Sequence, residues 1–142
     1  MPRPVIDASI TLEWLLEDSK PESRKQAWAA LDQVVEHGAW VPPLWHYEIA
    51  NVAMIAARRK NVASNRVEAF RSRLNDLPIE TDDMPLPAVI DSIRDLAAAQ
   101  RLTVYDAAYL ELARRLAAPL ATLDAAMAAA AQALRIPLLQ LD

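Results

Sequence analysis

No cysteine, a single glycine and only two histidines occur among the 142 residues, and each scarcity closes off a group of chemistries. Without cysteine there is no disulfide framework, which agrees with a cytoplasmic address, and no Cys–His nucleophile pair. Gly38 alone cannot build the glycine-rich loops that cradle phosphates or dinucleotides, nor the GxSxG elbow of serine hydrolases. His37 and His46 are too few for a histidine- or thiolate-rich zinc site. No apolar run approaches the roughly 20 residues that a membrane span needs. The Ala125–Ala131 stretch is short and weakly apolar, and Asp7 and Glu13 interrupt what would be the apolar region of a secretory signal. A basic excess is missing as well: 15 Lys and Arg against 19 Asp and Glu gives 15 − 19 = −4, so a broad electrostatic grip on nucleic acid is not expected. The hard functional groups that remain in quantity are carboxylates.

What is present reads as one globular domain over residues 1–142. Hydrophobic residues make up 54% and charged residues 24%, an ordinary balance, and a chain of this length buries about two-thirds of its unfolded surface. Short apolar runs alternate with longer helical patterns. Strands are expected at 4–6, 40–42, 77–81, 120–123 and 136–141, with Pro78 making the third an edge strand. Helices are expected at 9–17, from Pro21 after a Ser19 cap to Gly38, at 44–60, from Ser64, from Pro87, at 103–116 and at 125–134. The second helix offers Ala27, Ala30, Leu31, Val34 and Val35 as apolar positions, and the fifth offers Val89, Ile90, Ile93, Leu96 and Ala97. Strands separated by helices of this length form a parallel sheet with helices on both faces, and such sheets bind ligands at the carboxyl ends of their strands. The one basic cluster, Arg58-Arg59-Lys60 with Arg66, Arg71 and Arg73, reads equally as an RNA-gripping patch and as a solvated helix face.

Four acids stand where that rule makes them informative. Asp7 directly follows the first strand and Asp124 directly follows the fourth. Asp106 lies in the first turn of a helix, and Glu48 lies on an otherwise apolar helix, facing inward if Trp45 and Val52 are buried. Structural readings compete. Asp124 can cap the helix it precedes, Thr103 with Asp106 fits a capping box, and Glu48 can be a half-exposed side chain. Asp7 has no capping role as obvious as these. Asp32, Asp76, Asp91 and Asp95, on polar helix faces or ends, serve as controls.

Four motifs occur in order along nearly the whole chain: Val5-Ile6-Asp7-Ala8-Ser9; Glu48 with Asn51 one turn later; Tyr105-Asp106-Ala107-Ala108-Tyr109-Leu110-Glu111-Leu112-Ala113; and Leu120-Ala121-Thr122-Leu123-Asp124. With these the chain resembles PIN domains, and among them the VapC-type toxins. The resemblance implies a Rossmann-like α/β/α sandwich with a central, mostly parallel sheet, in which four acids converge on a divalent metal. Asp7 and Asp106 are the implied principal Mg²⁺ ligands, Asp124 and Glu48 complete the pocket, and Ser9, Asn51 and Thr122 are supporting polar groups. Arg135 departs from the pattern, standing where a glycine is common before the last strand.

An all-oxygen ligand set suits Mg²⁺, with Mn²⁺ able to substitute, far better than zinc. The implied reaction is hydrolysis of an RNA phosphodiester to a 5′-phosphate and a 3′-hydroxyl, with one or two metals activating water and steadying the leaving oxygen. The implied partners are RNA, a small VapB-type antitoxin offering Arg or Lys to the acidic pocket, and a second copy of the chain, the four tryptophans being candidate interface anchors. No membrane is implied. A non-toxin RNA-processing PIN nuclease and a catalytically silent PIN scaffold are the alternatives. A receiver-like domain fits poorly, because Asp106 opens a helix and no lysine follows it.

Overall fold

The computed structural model describes residues 2–16, 20–58, 62–83 and 86–140. Among these, β1 (Val5–Ile6), β2 (Ala39–Val41), β3 (Ile79–Thr81) and β4 (Leu120–Ala121) form one parallel sheet in the order β3-β2-β1-β4. The register pairs Val5 with Trp40 and with Leu120, Ile6 with Ala121, and Ala39 with Ile79. Seven helices flank it: α1 (Ala8–Leu16), α2 (Pro21–His37), α3 (Leu44–Arg58), α4 (Ser64–Asp76), α5 (Leu86–Gln100), α6 (Val104–Arg115) and α7 (Ala125–Ala133). The result is the expected α/β/α sandwich. Helices α1 to α4 pack among themselves, while α6 packs against β1, β4, α5 and α7. Val5, Ile6, Ala39, Val41, Leu120 and Ala121 are all buried, as strands covered on both faces require. Glu80 and Thr81 of β3 are exposed, which confirms the edge position expected from Pro78.

Parallel pairing places the carboxyl ends of β1 and β4 side by side, the arrangement that positions the site. Several boundaries differ from expectation for local reasons. The strand expected over 136–141 is reduced, in its described part, to one bridge between Leu120 and Leu138. Pro137 has no N–H to extend a ladder, although its carbonyl accepts from Leu120 N at 2.9 Å. Leu141 and the proposed Ser19 cap lie outside the described residues. Strand β4 stops at Ala121 because Thr122 and Leu123 turn their polar groups to the β1 side. Val35 and Ile90 lie on the solvent sides of their helices, so the apolar faces of α2 and α5 are narrower than their composition suggests. Val52 is only half-buried, whereas the Trp45 expectation holds.

The shortage of glycine leaves a visible mark. Four described residues have positive φ: Gly38 (83°), Arg101 (55°), Ala117 (52°) and Arg135 (59°). The last three end α5, α6 and α7 in the same way. The next residue's N–H reaches back five positions, from Leu102 to Ala97 O (3.0 Å), Ala118 to Ala113 O (2.9 Å) and Ile136 to Ala131 O (2.8 Å). This bond makes a left-handed residue worthwhile even without glycine. Arg135 therefore adopts the conformation that glycine serves in the resembling pattern. Gly38 is different in kind, because a Cβ there would meet Pro78 O at 2.8 Å and Arg3 Nε at 2.9 Å. We expect Gly38→Ala to destabilise by about 1–3 kcal/mol. Ala117→Gly should be neutral or stabilising by up to about 1 kcal/mol, since relief of left-handed strain competes with added chain entropy. Urea melts of both variants check the opposite signs.

Candidate functional site

Asp7 ends β1 almost completely buried, 3% exposed. A carboxylate in such a place must find donors, and it finds them on two elements. Its Oδ1 accepts from Ser9 Oγ at 2.6 Å and from Ile10 N at 3.1 Å, while its Oδ2 accepts from the Thr122 hydroxyl. The bond from Ile10, three residues on, makes Asp7 the cap of α1, a role the sequence reading did not give it. Ser9 Oγ also accepts from Leu123 N (2.9 Å), and Thr122 Oγ1 accepts from Asp124 N (3.0 Å). The two supporting hydroxyls thus fasten the end of β4 to the end of β1. Burial pushes the Asp7 carboxyl above its usual range; the bonds from Ser9, Thr122 and Ile10 pull it back, and the charge of Asp124 adds to the rise.

Glu48, half-buried on α3, is oriented by Tyr109 of α6, whose hydroxyl donates to Glu48 Oε1 at 2.6 Å. Burial, followed by that bond and the Glu48 charge, raises the Tyr109 phenol so far that it keeps its proton and remains the donor. The Glu48 carboxyl is itself raised by burial, opposed by Tyr109, with Asp106 contributing to the rise. Asp106 sits in the first turn of α6, where its N–H donates to Thr103 Oγ1 at 3.1 Å, the expected helix-start bond. Its carboxyl is raised by burial and then by Asp124, with Thr103 opposing. Asp124 caps α7, accepting from Met127 N at 3.0 Å, so its structural reading is correct and compatible with a second role.

All four acids line one cavity of about 130 Å³, together with Ala8, Ser9, Tyr109 and Met127. The controls Asp32, Asp76, Asp91 and Asp95 are all exposed and elsewhere. Convergence is looser than the sequence reading expected: among the described residues no three acidic or histidine side chains close to ligating distance. Nor does any Lys, Arg or His there form an ion pair with the four. Open, unneutralised carboxylates fit a hard cation that retains much of its water shell and takes one or two carboxylates directly. Asn51 is exposed and lies outside this cavity, in a neighbouring groove that shares Glu48 and Asp106 with it. The basic cluster is partly spent. Arg71 pairs with Glu68 at 2.7 Å and Arg73 lies over the Trp28 ring, while Arg59 and Lys60 fall outside the described residues.

Two positioning residues escaped the sequence reading. Tyr109 stands three residues after Asp106, on the same face of α6, which is a usable signal. Thr11 has none. Its buried hydroxyl donates to Asp7 O (2.9 Å) and accepts from Trp45 Nε1 (3.1 Å), tying α1 to the helix that carries Glu48. Of the four tryptophans, Trp14 and Trp45 are core residues, while Trp40 and Trp28 are half-buried with Arg3 and Arg73 over their rings.

A parallel sheet with acids gathered at its carboxyl edge defines an α/β domain whose ligand site lies in the crevice between strand ends. The family model of the PIN domain matches residues 5–136, and the chain belongs to that family. PIN domains are generally nucleases and usually metal-dependent. The crystal structure of PAE2754 from Pyrobaculum aerophilum is similar in fold, with a TM-score of 0.62 and 23% identity over 91% of this chain and 84% of that one. No curated protein matches the chain. No helix among the described residues is long and apolar enough to cross a membrane.

The raised carboxyls make the pocket a liability in metal-free protein, with a definite sign. A group whose pKa is higher folded than unfolded favours the fold below the unfolded value, about 4, and that advantage is lost as pH rises through the folded value. In EDTA, the melting temperature of Asp106→Asn should therefore gain on wild type as pH rises from about 4 to 7, by at most a few degrees at this half-buried position. The helix dipole, which favours a charge in the first turn, works against the gain. A variant less stable than wild type at neutral pH that still cleaves RNA at near wild-type rate would reduce Asp106 to a helix-start residue.

Proposed function

We propose that this PIN domain is a Mg²⁺-dependent endoribonuclease, with Mn²⁺ able to substitute, and that it is the VapC-type toxin of a toxin–antitoxin pair. The observation that carries the reading is the cavity shared by Asp7, Glu48, Asp106 and Asp124, buried at its base and without a cationic partner among the described residues. Four carboxylates that repel one another are costly to retain for structure alone. In this reading Asp7 and Asp106 hold the metal, with Glu48 and Asp124 acting directly or through its water. The bound cation would lower the pKa of a coordinated water and offset charge on the phosphate.

The chain's own residues supply the rest. Ser9, Thr122 and the Ile10 amide keep the Asp7 oxygens fixed, and Tyr109 keeps Glu48 turned into the cavity. In this reading Glu48 or Asp124 would accept a proton from water as it attacks phosphorus. The bond from phosphorus to the 3′ oxygen would then break and that oxygen would take a proton from solvent, leaving a 5′-phosphate on one fragment and a 3′-hydroxyl on the other. A VapB-type antitoxin would silence the site by placing an Arg in the cavity, where it would pair with carboxylates that have no cation of their own. A homodimer is part of the proposal, supported by exposed Ile90 on α5 and Val104 on α6.

Purified protein should cleave single-stranded RNA with Mg²⁺ or Mn²⁺ and lose cleavage in excess EDTA. Asp7→Asn should reduce the rate by roughly a hundredfold or more, the scale on which losing a group that stabilises transition-state charge is felt. Full activity in EDTA would sink the metal reading. Light scattering at high concentration should give twice the chain mass, and a strictly monomeric mass would remove the dimer.

A further inference from the structure

Beside the acid cavity runs a more open groove of about 570 Å³, between α3 and the start of α6. Glu48 and Asp106 belong to the walls of both, so whatever lies in the groove lies against the acids. Its remaining walls are unusual for such a place. Tyr47 and Tyr105 stand on opposite sides, 78% and 65% exposed, and neither is absorbed by the hydrogen-bond network that fixes Tyr109. Asn51 and Thr103 add uncharged polar groups, and among the described residues no Lys, Arg or His lines the groove. A phosphate would meet two acids there and no cation among the described residues. A flat, uncharged, partly polar group would find two aromatic faces and an amide that can both donate and accept.

Resting on the nuclease reading above, we propose that this groove is a nucleobase subsite. It takes an unpaired base next to the phosphate held at the acid cavity, stacks it on Tyr105 or between Tyr47 and Tyr105, and meets its polar edge with Asn51. Aromatic stacking tolerates any base and requires an unstacked one, so the subsite selects single-stranded RNA over duplex. It also answers the charge problem of an acidic chain: affinity comes from base contacts where phosphate contacts are scarce. A second copy of the chain is the competing occupant, since Tyr105 also borders the apolar groove that holds Ile90 and Val104.

The test measures anisotropy of a fluorescein-labelled short single-stranded oligoribonucleotide in Ca²⁺, with Tyr47→Ala, Tyr105→Ala and the corresponding Phe variants. Both tyrosines are exposed, so the variants should melt with wild type. Each Ala variant should weaken binding roughly tenfold and each Phe variant should restore it, as loss and recovery of one stacked ring predict. A single abasic nucleotide beside the cleavage position should weaken binding to wild type but not to Tyr105→Ala. The subsite is overturned if wild type binds no oligonucleotide, if the Ala variants bind as tightly as wild type, or if they change only the molecular mass. Failure to cleave with Mg²⁺ or Mn²⁺ while ring-dependent binding persists would instead remove the nuclease reading and leave the base subsite standing.

Discussion

Burying one carboxylate at the end of a central strand sets a demand that much of this chain is organised to meet. Asp7 is shielded from water, and its charged form survives only if protein donors replace the solvent. The donors come from the first turn of α1 and from Thr122 just past β4. Because β1 and β4 are neighbours in register, with Ile6 beside Ala121, Thr122 arrives beside Asp7. A one-residue slip would turn Thr122 to the opposite face and strand the charge. The same hydroxyl accepts from Asp124 N, so the loop carrying a second acid is aimed by the bond that satisfies the first. Stability and site geometry are coupled through one oxygen.

Elsewhere the chain treats its buried acids differently. Glu111, equally inaccessible, receives Arg115 at 2.8 Å, and Arg115 also reaches Asp82 at 2.6 Å, closing the segment after β3 onto α6. That arrangement neutralises charge and holds structure. The acids of the cavity have hydroxyl and amide donors but, among the described residues, no cation, although Glu111 is on the same helix as Asp106. Retaining ion pairs in one place and withholding them in another is what separates a structural carboxylate from one kept open for a ligand.

Much of this was legible in the sequence because it rests on local rules. Alternating apolar runs and helical patterns gave the parallel sandwich, and the strand-end rule picked out Asp7 and Asp124. What stayed hidden depends on partners distant in the chain. The Asp7 capping bond was missed because a residue ending a strand also begins the helix that follows without an intervening loop. Thr11 looks like an ordinary buried threonine until α3 brings Trp45 to it. Composition says nothing about which tryptophans enter the core, as Trp14 and Trp45 do, and which rings an arginine covers. In its described part the final strand is one bridge, and Pro137, which has no N–H for a ladder, is a cost legible in the sequence.

The two hydroxyls beside Asp7 have one more consequence. Leu123 and Asp124 lack strand partners for their amides and donate instead to Ser9 Oγ and Thr122 Oγ1, which in turn donate to the Asp7 carboxylate. Both hydroxyls can donate to Asp7 at once while its carboxylate is charged, because each of its oxygens then accepts. Protonating it, or drawing its oxygens toward a cation, redistributes the relay and loosens or tightens those two amides. Deuterium uptake at these two amides therefore responds to the charge on Asp7, without substrate or turnover.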